Sequence, residues 1–429
     1  TPLLFISAAI KMNEIQAWIA EAPKYSSFRV NTLKNFDTDI LKKFLESQKV
    51  KLKSVRIPKF YFLRKDCLIL EQWPEEVIIE KTGNEVIVDA FCAAAVLRGA
   101  NVYAPGVLGF PTNCKINDKI DIYGDLDGQC KRGLKVKYEG RKTFVGTGII
   151  KMLRYELFDN GVQPNGIAIE TLLPLSRIPV VNTTLYPQGK VVLQNLPSIV
   201  CGWVMDPRPS ETILDMCAAP GNKTTHLAEM SHDKAFITAI DKTLQKVAKI
   251  KDNCLTQGVS CVNAFVFDST KCYTDTNHDG NGPPFPENNF DKVLLDAPCS
   301  GLGQRPQLVN KMTESQIKSY KFVQRKLFAA AVKVLKENGK LIYSTCTITE
   351  EENEGMVVWA LEKFPCLKLI AAEPLLGGPG LPNIGLSDEQ RAMVQRFGPK
   401  NDPLRPVEDI YRGSIGFFIA TFVKTPSPL

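Results

Sequence analysis

The chain lacks most of what would make it a metal, disulfide or membrane protein. Only three histidines (His226, His232 and His278) occur in 429 residues, and no two of the twelve cysteines stand at C-x2-C or C-x4-C spacing. The usual ligand pattern of a zinc module is therefore missing. In a chain this long, scattered thiols fit a reducing compartment better than a disulfide framework. The apolar opening run, residues 2–10, has no basic flank and is too short to cross a bilayer. A soluble, cytoplasmic protein without a resident metal is expected. Charge of one sign is scarce too: Lys+Arg of 53 against Asp+Glu of 46 leaves +7. That balance is compatible with nucleic acid, but many enzymes share it. No internal repeat or coiled-coil heptad run is present.

What is present changes character twice along the chain. Residues 11–80 combine a helical pattern, with Ile15, Trp18 and Ile19 on one face, with an extended run at 28–33. Residues 83–174 read as short strands between glycine turns, among them 85–89, 119–123 and 143–147. That spacing predicts a small β-barrel or sandwich. Residues 182–196 link it to the C-terminal half of the chain. From 211 onward strands alternate with helices: strands at 212–215, 235–241, 262–268, 291–296 and 340–344, helices at 244–255 and 314–335, and a late strand at 414–422. This is the pattern of a doubly wound α/β sheet. Residues 274–287 form a polar loop rich in Gly, Pro and Asn.

Four aspartates end four successive predicted strands: Asp215, Asp241, Asp268 and Asp296. Ligands of open α/β sheets bind at the carboxyl edge, where strand order reverses. The first strand feeds a small-residue loop, Cys217, Ala218, Ala219, Pro220, Gly221, Asn222 and Lys223, which opens a helix. Asp241 follows Gly221 by the spacing of an acid that bonds a ribose hydroxyl. The full G-x-G-x-x-G pattern is absent, which disfavours a dinucleotide. Acids reaching a ribose (Asp241) and a base (Asp268), without a phosphate cradle, fit S-adenosylmethionine better. Two thiols arrive at the same edge, Cys299 in 296–301 (DAPCSG) and Cys346 in 344–347 (STCT). Any one of these residues could be a turn former, a helix cap or a buried thiol. Their convergence on one edge favours chemistry. The acid run 350–354 reads as the start of a helix, where acids favour the positive end, and the basic run Lys131, Arg132, Lys135 and Lys137 as a solvated face.

The loop at 217–223, residues 296–301, residues 344–347 followed by 351–354 (EENE), and 29–32 (RVNT) together resemble the RNA cytosine-5 methyltransferases of the Nol/Nop/Sun family. Residues 95–106 (AVLRGANVYAPG) resemble part of a PUA domain, an RNA-binding β-barrel. Its insertion after an early RVNT segment is similar to the sixth member type, a transfer-RNA methyltransferase. The resemblance implies a Rossmann-like methyltransferase domain (175–429, with the remainder of the RNA-recognition segment), an inserted PUA domain (83–174) and a small α+β N-terminal RNA-recognition segment (1–82).

Carbon 5 of cytosine is too weak a nucleophile to take a methyl group unaided, and a thiolate added at carbon 6 overcomes this. By resemblance, Cys346 is that nucleophile, Cys299 assists proton removal and release, and Asp296 selects cytosine. Lys223 adds positive charge near the thiolate. The residues alone leave open which thiol attacks. S-adenosylmethionine would be held by 217–223 with Asp241, Lys246, Asp268 and Asp296. Asn222 stands where the family has a second glycine, and would be the least costly replacement if that position needs positive φ. Arg98, Tyr103, Lys131 and Arg132 match positions that contact the acceptor stem and CCA end of transfer RNA. A monomer is expected. The rival readings are methylation of ribosomal or messenger RNA, a non-catalytic RNA-binding scaffold, and an NAD-dependent enzyme.

Overall fold

A computed structural model of the chain describes residues 12–426, except 160, 162, 182–184, 186–188, 277–281, 400, 401 and 403. The opening run, His278, and parts of the predicted linker at 182–196 and loop at 274–287 lie outside the described residues.

The N-terminal unit pairs α1 (Met12–Ala20) and α2 (Thr38–Lys51) with three strands, β1 (Tyr25–Val30), β2 (Phe60–Arg64) and β3 (Cys67–Glu71). Leu41 and Leu45 of α2 are buried against Phe28, Val30, Leu68 and Leu70. The opposite face, Cys67 and Ile69, packs into the core of the C-terminal unit, as the period-2 alternation of a strand requires.

Next in the chain is a six-stranded sheet: β4 (Glu85–Val88), β5 (Val102–Tyr103), β6 (Val107–Gly109), β7 (Lys119–Asp125), β8 (Lys142–Ile150) and β9 (Ile167–Pro174). Its order is β5-β9-β8-β7-β4-β6. The two outer strands are joined by the single turn Ala104–Gly106, so the sheet must curl on itself as a barrel. Helix α3 (Ala90–Leu97), capped by the Asp89 carboxylate on Cys92 N–H, seats Ala93, Val96 and Leu97 in the barrel core. A short α4 (Arg154–Phe158) closes one side. The chain then returns through β10 (Val191–Leu193), which pairs antiparallel with β1. The barrel is thus inserted within a sheet whose strands lie on both sides of it in sequence.

The C-terminal unit holds α5 (Leu196–Met205), β11 (Thr212–Asp215), α6 (Asn222–Met230), β12 (Phe236–Asp241), α7 (Leu244–Gln257), β13 (Val262–Val266), β14 (Phe290–Asp296), α8 (Glu314–Val334), β15 (Leu335–Thr345), α9 (Glu354–Lys363), β16 (Leu367–Ile370), β17 (Gln395–Phe397) and β18 (Phe417–Lys424). The sheet runs β13-β12-β11-β14-β15-β18-β16, with β17 against β18. The first five strands are parallel and β18 is antiparallel to its neighbours. Successive residues of β14 alternate between two cores. Val293 and Leu295 face α8 and α9, and Leu294 faces α5–α7. Burial on both faces is why these strands read as unbroken apolar runs. Strand order reverses between β11 and β14, so the loops after these strands and after β15 share one edge.

The predicted strand at 262–268 stops at Val266, because Asp268 turns away to cap the single turn Ser269–Lys271. The strand predicted at 340–344 is longer, running on directly from α8.

Candidate active site

Loop 217–223 leaves β11 and turns through Gly221 at φ 108° before α6 begins. A Cβ there would sit 3.2 Å from the Ile250 Cα in strained left-handed backbone, so glycine is needed. The positive φ falls on Gly221 alone. Asn222 is the first residue of the helix and needs no positive φ, so the condition under which asparagine would replace a second glycine at low cost does not arise. Its carbonyl instead accepts from Arg29 Nη1 at 2.7 Å. Arg29, fully buried, also donates to Thr225 Oγ1 and to Gln257 Oε1, and stands 3.4 Å from Glu229. The N-terminal sheet thereby clamps the first turn of the helix behind the loop.

Asp241 lies beside this loop. Its Oδ2 accepts the Ala219 N–H at 3.0 Å, and Lys246 Nζ stands 3.1 Å from its Oδ1. Asp268 accepts from Thr270 and is 3.6 Å from Lys242 Nζ, which lies next to Asp241 in sequence. Burial would raise the Asp268 carboxyl, but the Thr270 hydroxyl outweighs it and holds the group below the ordinary range. This donor set offers carboxylates to hydroxyl and amino groups and gives a pyrophosphate no bare cradle of amides, so it fits S-adenosylmethionine. Asp215 is different: it is 1% exposed, accepts from the Thr224 hydroxyl at 2.7 Å, and supports the loop from below.

Asp296 ends β14 with Ser344 of β15 paired beside it. Ser344 Oγ donates to one carboxylate oxygen and Lys223 Nζ to the other, each at 2.7 Å. Burial alone would lower the Lys223 ammonium, yet adjacency to Asp296 raises it above the ordinary lysine range, so it stays charged. The two loops bring Cys299 Sγ and Cys346 Sγ to 3.4 Å. The hydrogen bond between the two sulfurs, with help from the Gln304 side chain and Lys223, favours the Cys346 thiolate and shifts its pKa below the ordinary thiol value. Cys299 is shifted well upward by the same shared proton, by burial and by the Glu352 charge.

A cleft of about 570 Å³ opens between the barrel and the C-terminal unit. Phe91, Ala94 and Arg98 of α3 and its end form one wall, and Ser300, Gly301 and Gln304 the other. Phe91 is 76% exposed there. Arg98 is exposed and reaches the Pro306 carbonyl at 3.5 Å. Tyr103 and Lys131 are exposed on the barrel. Arg132 donates to the carbonyls of Pro105, Val107 and Leu157, so much of its guanidinium already braces the turn after Tyr103.

Sequence reasoning missed the layer behind the thiols. The acids at 350–354 do not cap the helix with their side chains. Glu352 is buried and accepts from Ser300, Gln324 and Thr349, and Glu354 pairs with Arg396 and takes the Leu381 N–H. Asn353 accepts from Thr345 Oγ1 and donates to the Thr347 carbonyl. The helix does begin at Glu354, as the acid run predicts, but nothing in that run distinguishes Glu352 as a buried hub. Among the described residues no group of His, Cys, Asp or Glu could hold a metal, and no helix is long and apolar enough to cross a membrane.

Fold and site define an S-adenosylmethionine-dependent methyltransferase with a thiol pair at the edge of its sheet. The family model described as 16S rRNA methyltransferase RsmB/F matches residues 202–392. A human protein described as tRNA (cytosine(72)-C(5))-methyltransferase NSUN6 is 42% identical over 440 residues, 97% of this chain and 92% of its own length. The chain belongs to the NOP2/Sun family of RNA cytosine-5 methyltransferases and is of the NSUN6 type. The tRNA (cytosine(72)-C(5))-methyltransferase of Pyrococcus horikoshii is 32% identical, with 96% of this chain and 92% of that one covered. The crystal structure of NSun6 from Pyrococcus horikoshii with SFG matches at TM-score 0.71 and 31% identity, covering 97% of this chain and 94% of that one.

Proposed function

We propose that this enzyme methylates carbon 5 of an acceptor-stem cytosine in transfer RNA, that residues 83–174 are a PUA domain gripping the CCA end, and that it acts as a cytoplasmic monomer. Residues 1–82, and the part of 175–429 that precedes the methyltransferase fold, complete the RNA-recognition segment. The observation that carries the reading is the thiol pair beside Asp296 and Lys223, next to a cleft that the barrel helps to form. The near full-length similarity to proteins named as tRNA (cytosine(72)-C(5))-methyltransferases spans the barrel as well, and favours transfer RNA over ribosomal RNA.

In this reading the target cytosine leaves its stack and meets Cys346. The sulfur adds to carbon 6, and electron density moves to carbon 5. S-adenosylmethionine, when bound, supplies the electrophilic methyl group. Asp296, fixed by Lys223 and Ser344, faces the amino group and nitrogen 3, stabilising the adduct and rejecting uracil. Cys299 then helps remove the carbon 5 proton, and the Cys346–carbon 6 bond breaks. Cys217, Ala218, Ala219, Pro220, Gly221, Asn222 and Lys223 bring backbone close to the cofactor, with Asp241 for its ribose, Asp268 for its base, and Lys246 and Asp296 at the rim. Arg98 and Lys131 supply phosphate contacts, Tyr103 an aromatic face, and Arg132 the turn that carries it.

Incubation of the enzyme with total RNA and labelled S-adenosylmethionine, followed by mapping of methylated cytosines, tests the proposal. Label confined to acceptor stems, and lost when the CCA end is removed, is the expected result. Label in ribosomal RNA, or no effect of removing the CCA end, would overturn it.

A further inference from the structure

Glu352 lies between the two loops that carry the thiols and is 1% exposed. Its side chain accepts four hydrogen bonds, three from those loops and one from α8. Oε2 accepts the Ser300 N–H at 3.0 Å and Gln324 Nε2 at 2.9 Å, and Oε1 accepts the Ser300 hydroxyl at 2.5 Å and the Thr349 hydroxyl at 2.9 Å. Ser300 also bonds Thr347 Oγ1 at 2.7 Å, crossing directly from the Cys299 loop to the Cys346 loop. Gln324 of α8 holds the Pro298 carbonyl at 3.0 Å, on the other side of Cys299. The Glu352 carbonyl accepts from the buried Tyr343 hydroxyl at 2.7 Å, which fixes it to β15.

Residues 298 and 300 are therefore both tied down through one carboxylate and its Gln324 partner, while Thr347 and Thr349 tie the neighbouring loop to the same point. None of these bonds is made to a thiol. A buried carboxylate with four donors is costly to assemble and is retained where geometry must be held. Misplacement of reacting groups by about 1 Å can cost roughly 100-fold in rate.

We propose that Glu352 is a positioning residue that sets the distance between Cys299 and Cys346, and so controls how fast the covalent RNA adduct is resolved. The inference rests on the roles given above to the two cysteines. Ser300, next to Cys299, takes two of the four bonds, so loss of the carboxylate displaces Cys299 more than Cys346. Attack continues and release slows.

Glu352→Ala is expected to accumulate a denaturation-resistant protein–RNA complex and to lower kcat at least 10-fold, with S-adenosylmethionine affinity within twofold of wild type. Glu352→Gln should largely rescue turnover. Its amide oxygen can face the Ser300 N–H and Gln324, and its amide N–H groups can face the Ser300 and Thr349 hydroxyls, which can rotate to accept them. Ser300→Ala, a milder change should the first variant fold poorly, should accumulate the adduct to an intermediate level. Wild-type release by both Glu352→Ala and Ser300→Ala overturns the inference. So does joint loss of adduct and cofactor binding, or a Glu352→Gln variant as impaired as the alanine. A Cys299→Ala control separates the two readings: if it accumulates no adduct, the assignment of the cysteines fails, and Glu352 is judged only where that control traps RNA.

Discussion

Cys299 Sγ and Cys346 Sγ lie 3.4 Å apart although they follow the ends of two different strands, β14 and β15. At that separation one proton serves both sulfurs, and replacing either residue has a distinct consequence. Cys346→Ala should abolish methyl transfer to RNA. Cys299→Ala should leave attack intact and trap a protein–RNA species that survives a denaturing gel. Retained transfer in the first variant, or free turnover in the second, would reverse the two roles.

The same proximity sets a pH dependence. The hydrogen bond with Cys299 holds the Cys346 thiol below its ordinary value. The rate of alkylation at Cys346, followed by mass spectrometry against pH, should rise with a midpoint below that value. In Cys299→Ala that bond is gone and the midpoint should move upward. An unmoved midpoint would mean that Lys223 and Gln304 alone sustain the thiolate.

Arg29 is 193 residues from Asn222 in sequence, yet holds its carbonyl at 2.7 Å. Arg29→Ala leaves Glu229 and Gln257 buried without their partner, a change of about 3–5 kcal/mol by comparison with other broken buried pairs. A lower urea midpoint should accompany weaker S-adenosylmethionine binding, measured by calorimetry, because the first turn behind the cofactor loop loses its anchor. Cofactor affinity equal to wild type would confine Arg29 to folding.

Asp215 gives stability a pH limb. Burial pushes its carboxyl up to about 7, against the pull of the Thr224 hydroxyl and Lys223, while an unfolded aspartate titrates near 3.9. Between those values the folded chain holds the proton more tightly. The contribution is therefore fully present below about pH 4, falls as pH rises, and is gone above about 7. Asp215→Asn can keep the Thr224 bond and should narrow the difference between urea midpoints at pH 5 and pH 8. Glu229, raised by burial to about 7 as well, keeps part of the slope. An identical slope in the variant would show that Asp215 does not titrate there.

The parallel strands were legible because burial on both faces turns them into apolar runs that stop at an acid, as Leu294, Leu295 and Asp296 do. Cys299 and Cys346 were legible for the same reason, standing just past two such ends. Helix α3 left no periodic signal: Ala90–Leu97 is apolar all around, so no face differs from another. Glu352 and Arg29 lie in segments that carry the family resemblance, but their roles escaped because most of their partners are remote in sequence. A charge cap and a buried hub are both spelled with acids, and only the fold shows where the donors to Glu352 come from.

The crossings into and out of the barrel are bonded to each other. Gln72 Nε2 donates to the Ser176 carbonyl, Trp73 N–H to the Arg177 carbonyl, and Arg177 Nη1 to Pro74 and Val77. The Ser176 hydroxyl adds a bond to the Leu97 carbonyl at the end of α3. Two chains laced in this way behave as one stiff neck, and the barrel cannot swing freely from it. Were an RNA end held by the barrel, as proposed above, it would be measured against the thiols as if by a ruler. The enzyme would count nucleotides from that end by length, and one nucleotide added between grip and target should move the methyl group to a neighbouring base.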